Sequence, residues 1–262
     1  MLRWLFLRPG SRRAIPDALW EETLSISPSF DHLDREARAR LKTLSEAFLR
    51  EKRFYGAHGL ELTDAMVVRI AALAALLILE LGLVAYRGWV GIVLYPEAFM
   101  IPRREMDAAG AVHEYAEIAS GEAWEDGPVL LSWPDVEAAC AGYSVVLHEF
   151  AHKLDLLNGA ADGMPRLHSG ISAAKWLRAL EEAYADFCGR VAAMETSTTC
   201  VVLPLDDYAA EDYSEFFAVA SETFFTDPRA LESAYPDFYR LLAQYYRQDP
   251  LGCAAGAPPV SR

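Results

Sequence analysis

Basic residues, cysteine and an unbroken membrane-length apolar run are all scarce in this chain, and each shortage removes a class of function. Only 24 Lys and Arg stand against 38 Asp and Glu, a formal net charge of -14. Affinity for a phosphate backbone comes from cations that displace counterions, so direct nucleic-acid binding is not expected. The four cysteines, Cys140, Cys188, Cys200 and Cys253, are far apart and form no CxxC pair. Neither a zinc ribbon nor a disulfide framework is suggested, and a reducing cytoplasm is the expected location. At the start, Trp4-Leu5-Phe6-Leu7 is too short for a signal-peptide core and Arg8 interrupts it, so a cytosolic N-terminus is expected. No internal repeat is present.

The longest apolar stretch, Ile70 to Tyr86, approaches spanning length but carries Glu80 in its middle. A charge at mid-bilayer costs about 2.5 to 3.5 kcal/mol on insertion scales, and this run lacks the length to absorb it. A buried core helix is predicted, and no membrane partner.

What is present is enough apolar material, 53% of 262 residues, to bury a sizeable core. Residues 1–60 are predicted to form a helical N-terminal lobe, with Leu33, Leu41, Leu44, Phe48 and Leu49 near helical spacing. Residues 61–251 are expected to form the main domain and 252–262 a disordered tail rich in Gly, Ala and Pro. Thr63 or Asp64 can cap the apolar helix. Strands are predicted at Trp89 to Tyr95 and Val129 to Trp133, while Arg103 to Trp124, polar and punctuated by Gly121, reads as loop and turn. Further helices are predicted from Tyr143 to about Leu157, near Ala173 to Met194, and from about Ser214 to Phe225, which Asp227-Pro228 ends.

The chemistry sits in the first of these helices, at His148-Glu149-Phe150-Ala151-His152. Two imidazoles four residues apart share a helix face and can share one metal ion. Neutral imidazole suits Zn2+, and three protein ligands leave one position for a water of lowered pKa. Glu149 is turned about 100° from His148, so it can act as general base while staying off the metal. The competing reading is a pair of structural histidines on an amphipathic helix.

A third ligand must come from elsewhere, because Asp155 and Asn158 stand where a metzincin has its glycine and last histidine. His168, Glu211, Asp212 and Glu215 are the candidates. Glu215 is preferred because it heads the apolar run Phe216-Phe217-Ala218-Val219, a helix that would pack beside the histidines. Glu222, seven residues on, shares its face and could receive an imidazole N–H, or could be an exposed helix glutamate. Asp155 lies on the same side as the histidines and could orient a ligand or serve packing alone.

These residues resemble the Mlc titration factor A family of bacterial zinc-dependent peptidases, whose catalytic core is related to that of anthrax lethal factor. Besides the histidine motif, the likeness rests on Glu51-Lys52-Arg53-Phe54, Tyr86-Arg87-Gly88-Trp89, Gly121-Glu122-Ala123-Trp124, Lys153-Leu154-Asp155, Tyr208-Ala209-Ala210 and Glu215 to Glu222, and it spans Leu41 to Leu251. The resemblance implies His148, His152 and Glu215 as zinc ligands, Glu149 as base and Tyr208 in the site, where a phenol could hydrogen-bond an oxyanion. It also implies an α+β, zincin-like core: a small mixed or antiparallel sheet beside the zinc helix. The downstream glutamate would make the enzyme gluzincin-like, with aminopeptidase cleavage among the possible actions. The partners expected are a peptide or protein substrate, bound by edge pairing to a strand such as Val129 to Trp133, and a transcriptional repressor of the Mlc type.

Overall fold

The computed structural model describes residues 14–106, 112–140, 142–196 and 202–252. Two helices, α1 (Asp17–Ser25) and α2 (Arg35–Glu51), precede a short strand, β1 (Arg53–Gly56). Asp34 caps α2 by accepting from the Ala37 N–H at 2.8 Å, and its buried stripe, Leu41, Phe48 and Leu49, turns onto the next helix, α3 (Asp64–Leu77). Thr63 caps α3 through the Met66 N–H at 3.3 Å. After it come β2 (Gly91–Tyr95), β3 (Phe99–Met106), β4 (Val112–Ala119), β5 (Gly121–Ala123) and β6 (Val129–Ser132). The remainder is helical: α4 (Trp133–Glu137), α5 (Val145–Asp155), α6 (Ala173–Thr196), α7 (Tyr213–Thr226), α8 (Pro228–Ala234) and α9 (Pro236–Tyr246).

The main sheet has the order β1-β2-β6-β5. β1, β2 and β6 run parallel, and β5 is antiparallel to β6. This helix-rich α+β arrangement agrees with the expected class. β1 lies before residue 60, yet it pairs with β2, and one buried cluster runs from Ile15 to Tyr246. The basic start and the tail beyond Gly252 lie outside the described residues.

Three expectations change. The apolar helix ends at Leu77 instead of Tyr86; Gly82, at φ +77°, turns the chain into a short 3-10 helix, Leu83–Tyr86. Glu80 therefore sits in a turn, where it pairs with Arg40. The segment expected as loop contains the β3–β4 hairpin and β5. Its charged run hides the alternation; what seats it is Phe99 and Ile101 packing on Leu130, with Phe99 stacked on Tyr95 at 4.4 Å. Finally, β6 is an inner strand with both flanks paired, so an extended peptide has no edge there; the sheet edge on that side is β5. No helix among the described residues is long and apolar enough to cross a membrane.

Candidate metal centre and active site

Ser144 opens α5 as its cap, accepting from the Leu147 N–H at 3.4 Å, and the helix packs along α7. Asp212 caps α7 through the Glu215 N–H at 2.9 Å, which holds Glu215 in the first turn facing α5. The packing brings His148, His152 and Glu215 together. The two Nε2 atoms are 3.1 Å apart, and Glu215 Oε2 lies 3.1 Å from His148 Nε2 and 3.2 Å from His152 Nε2. Ligand atoms on a tetrahedral ion with bonds of about 2.0 to 2.1 Å are separated by roughly 3.3 Å, so the triangle fits one face of such a site.

The outward nitrogens are also engaged. His152 Nδ1 is 3.1 Å from Ser214 Oγ, and Ser214 donates to Asp155 Oδ2 at 2.8 Å. Asp155 Oδ2 accepts from the Gly163 N–H as well, at 2.9 Å. His148 Nδ1 is 3.5 Å from Glu222 Oε2, whose other oxygen accepts from the Ser144 N–H. With Nδ1–H pointing at these oxygens, both Nε2 lone pairs converge on the same point, as metal binding requires.

The electrostatics agree with a cation there. Burial would lower His148, but Glu215 and Glu222 outweigh it and raise its proton affinity well above the ordinary imidazole value. Burial would likewise raise Glu215, yet the two imidazoles hold it well below the usual carboxylate range. The convergence point is thus strongly attractive to positive charge.

Glu149 stands beside this triangle at 5% exposure, and its Oε2 is buried with no hydrogen-bond partner. Burial pushes its carboxyl up to about 7. Gly121 of β5 lies against it: a β-carbon there would come within 2.6 Å of Glu149 Cγ, so only glycine lets the strand approach so closely. Both residues line a cleft of about 540 Å³ together with the histidines, Glu215, Glu222 and Tyr208. Tyr208, on a 3-10 turn at Asp207–Ala210, is 42% exposed, and its ring centre is 6.2 Å from that of His148.

Of the other candidates, His168 is elsewhere, with Nε2 2.9 Å from the Tyr245 carbonyl oxygen and its ring stacked on Tyr245. Glu211 is exposed and Asp212 serves as a cap.

The sequence profile of the glucose-regulated metallo-peptidase M90 family matches residues 3–247. This chain belongs to that family. Proteins called Mlc titration factor A from Yersinia enterocolitica and Yersinia pestis are 35% and 34% identical to it over 254 residues, 96% of this chain and 92% of each relative. Membership of the M90 family makes the chain a metallopeptidase in kind and implies a metal. The match also reaches well before Leu41, so the N-terminal helices belong to the family pattern.

Two contributors escaped the reading of the sequence. Ser214 had no signal, being a serine in the first turn of a helix, and its link between His152 and Asp155 exists only through the α5–α7 contact. Gly121 stood in a recognised block, but read as loop punctuation its tight approach to Glu149 was invisible.

Proposed function

We propose that this protein is a zinc-dependent peptidase with a zincin-like core, in which His148, His152 and Glu215 hold the metal, Glu149 is the general base and Tyr208 assists. The observation that carries this is the 3.1 to 3.2 Å triangle of two imidazoles and a carboxylate with an unpartnered buried carboxylate beside it. Bound there, zinc would supply Lewis-acid polarisation of a peptide carbonyl and lower the pKa of water.

The remaining work falls to the chain. Glu149, drawn up toward neutrality by burial, takes the proton of the attacking water and returns it to the leaving amine. Tyr208, exposed at the cleft wall, turns its phenol to the oxyanion. Ser214 with Asp155, and Glu222, keep the imidazoles oriented. The substrate backbone lies along β5, the sheet edge whose three residues line the cleft.

A second reading, capture of a transcriptional repressor of the Mlc type, is favoured by the name that the Yersinia relatives carry. It uses a surface and need not use the chemistry, so a Glu149→Gln protein would keep it.

The test is metal content and hydrolysis of a fluorogenic peptide library by wild type and Glu149→Gln. One zinc per chain in both is expected, with turnover reduced by about 10²- to 10⁴-fold in the variant. Folded, metal-replete protein that retains no zinc would overturn the assignment; zinc without turnover in wild type would transfer the site to the binding role.

A further inference from the structure

Helix α5 repeats its four-residue spacing on a second face. His148 and His152 point to the metal triangle; Glu149 and Lys153, one residue further in each case, point to the β5–β6 unit. Lys153 is 2% exposed, and its ammonium faces backbone carbonyls: Nζ donates to the Trp124 oxygen, to Gly127 O at 2.9 Å and toward Glu125 O at 3.4 Å. Those carbonyls form the turn that links β5 to β6, itself closed by Gly127 N–H to Trp124 O at 3.2 Å and Trp124 N–H to Pro128 O at 3.2 Å. The indole of Trp89 lies beneath, its ring centre 4.9 Å from Lys153 Nζ. On that same ring sits a second buried ammonium, Lys52 Nζ, at 3.6 Å, anchored to the Trp89 carbonyl oxygen at 2.7 Å.

A buried ammonium costs several kcal/mol unless its donors are satisfied, so a lysine that spends them on one turn holds that turn firmly. The strand needs such a hold. β5 is three residues long and, among the described residues, has only the short ladder to β6. Without a tether its height over α5 would be set by that ladder and by Gly121 resting on Glu149. We propose that Lys153 is a positioning residue: its clamp on the Trp124–Gly127 turn fixes β5 over Glu149 and thereby the seat of a substrate backbone. This rests on the peptidase reading for its functional half; the clamp itself does not.

The full-length, zinc-loaded protein is compared with Lys153→Met, of similar length without the charge, and Lys153→Arg. Amide hydrogen exchange is followed alongside kcat and KM on an extended peptide and on a single-residue anilide. In Lys153→Met, exchange across residues 121–127 should quicken at least tenfold while α7 is unchanged and zinc stays at one per chain. kcat/KM should fall about 10- to 100-fold for the extended peptide and less than about 3-fold for the anilide, since displacement by about an ångström is enough for such a loss. Lys153→Arg should show the same split in smaller measure, and it carries the test if the Met protein does not fold. Wild-type exchange at the turn in the folded variants overturns the clamp, whether or not any peptide is cleaved. Equal losses on both substrates overturn the positioning role and leave a merely structural lysine. An inactive wild type with the exchange difference intact would instead count against the peptidase reading and uphold the clamp.

Discussion

Helices α3 and α5 pack against each other, and both bury an apolar majority, but they differ in the polar groups buried with it. α3 buries Val67, Val68, Ile70, Leu73, Leu76 and Leu77 among alanines, with Arg69 reaching out to the Glu137 carbonyl at 3.3 Å. α5 buries Glu149, Lys153 and Asp155 and half-buries two histidines. Apolar burial stabilises by area and asks for no particular partner. Polar burial is costly unless each group is met, and α5 is met at almost every group: the histidines by Glu215, Glu222 and Ser214, Asp155 by Ser214 and Gly163, Lys153 by carbonyls. The unmet buried atoms on α5 are Glu149 Oε2 and Asp155 Oδ1. An unsatisfied buried group does not by itself mark a site, since α3 has one at Arg69 Nε; what sets α5 apart is that its unsatisfied Glu149 oxygen stands beside the cluster of His148, His152 and Glu215.

The comparison can be broken most directly at α3. Leu73→Ala should destabilise the protein by about 2 to 5 kcal/mol through the cavity it leaves, with turnover per folded molecule unchanged. Thermal unfolding and kcat measured together check this; a loss of kcat without a loss of stability would show that α3 shares in the chemistry.

The burial of Glu149 gives the next largest effect. Its carboxyl, ordinarily at 4.5, is raised to about 7 in the fold, so the native metal-free protein holds a proton there that the unfolded chain has released. Stability from this group is therefore present below about 4.5 and lost as pH rises through about 7, in total up to about 3 kcal/mol. Metal-free Glu149→Gln should escape that loss and be more stable than metal-free wild type at pH 8 but not at pH 4. Denaturant melts at the two pH values decide it; an equal difference at both would place the strain elsewhere.

The smallest effect sharpens the contrast within the site. Glu222→Gln should weaken zinc binding about 10- to 100-fold by removing the charge beside His148 Nδ1, and the retained amide oxygen can still accept from Ser144. Competition with a chelator measures it, and unchanged affinity would reduce Glu222 to a cap on the chain before α5.

How much of this was legible in the sequence follows from how local each feature is. The α5 and α7 helices and their approximate ends could be read because hydrophobic period and helix-stopping residues act within a few turns, whereas Ser144 and Asp212 were not singled out as their caps. The end of α3 could not, because the apolar run continues past Leu77 and only the Gly82 turn breaks it. The β3–β4 hairpin was missed because Arg103, Arg104 and Glu105 mask the strand pattern, and a strand seated by a few contacts on a neighbouring sheet carries little signal of its own.

By itself the sequence determined that two imidazoles share a helix face and that a glutamate stands a third of a turn away, since 3.6 residues per turn settles that within five residues. The sequence favoured Glu215 among several candidates, but only the tertiary structure put that carboxylate, 63 residues beyond His152, against the imidazoles, and it alone decided that β6 is enclosed and β5 is the edge, and that Gly121 and Lys153 lock that edge to α5. Those are distances between elements far apart in the chain, and they are set by how buried faces pack rather than by any local preference of the residues that meet.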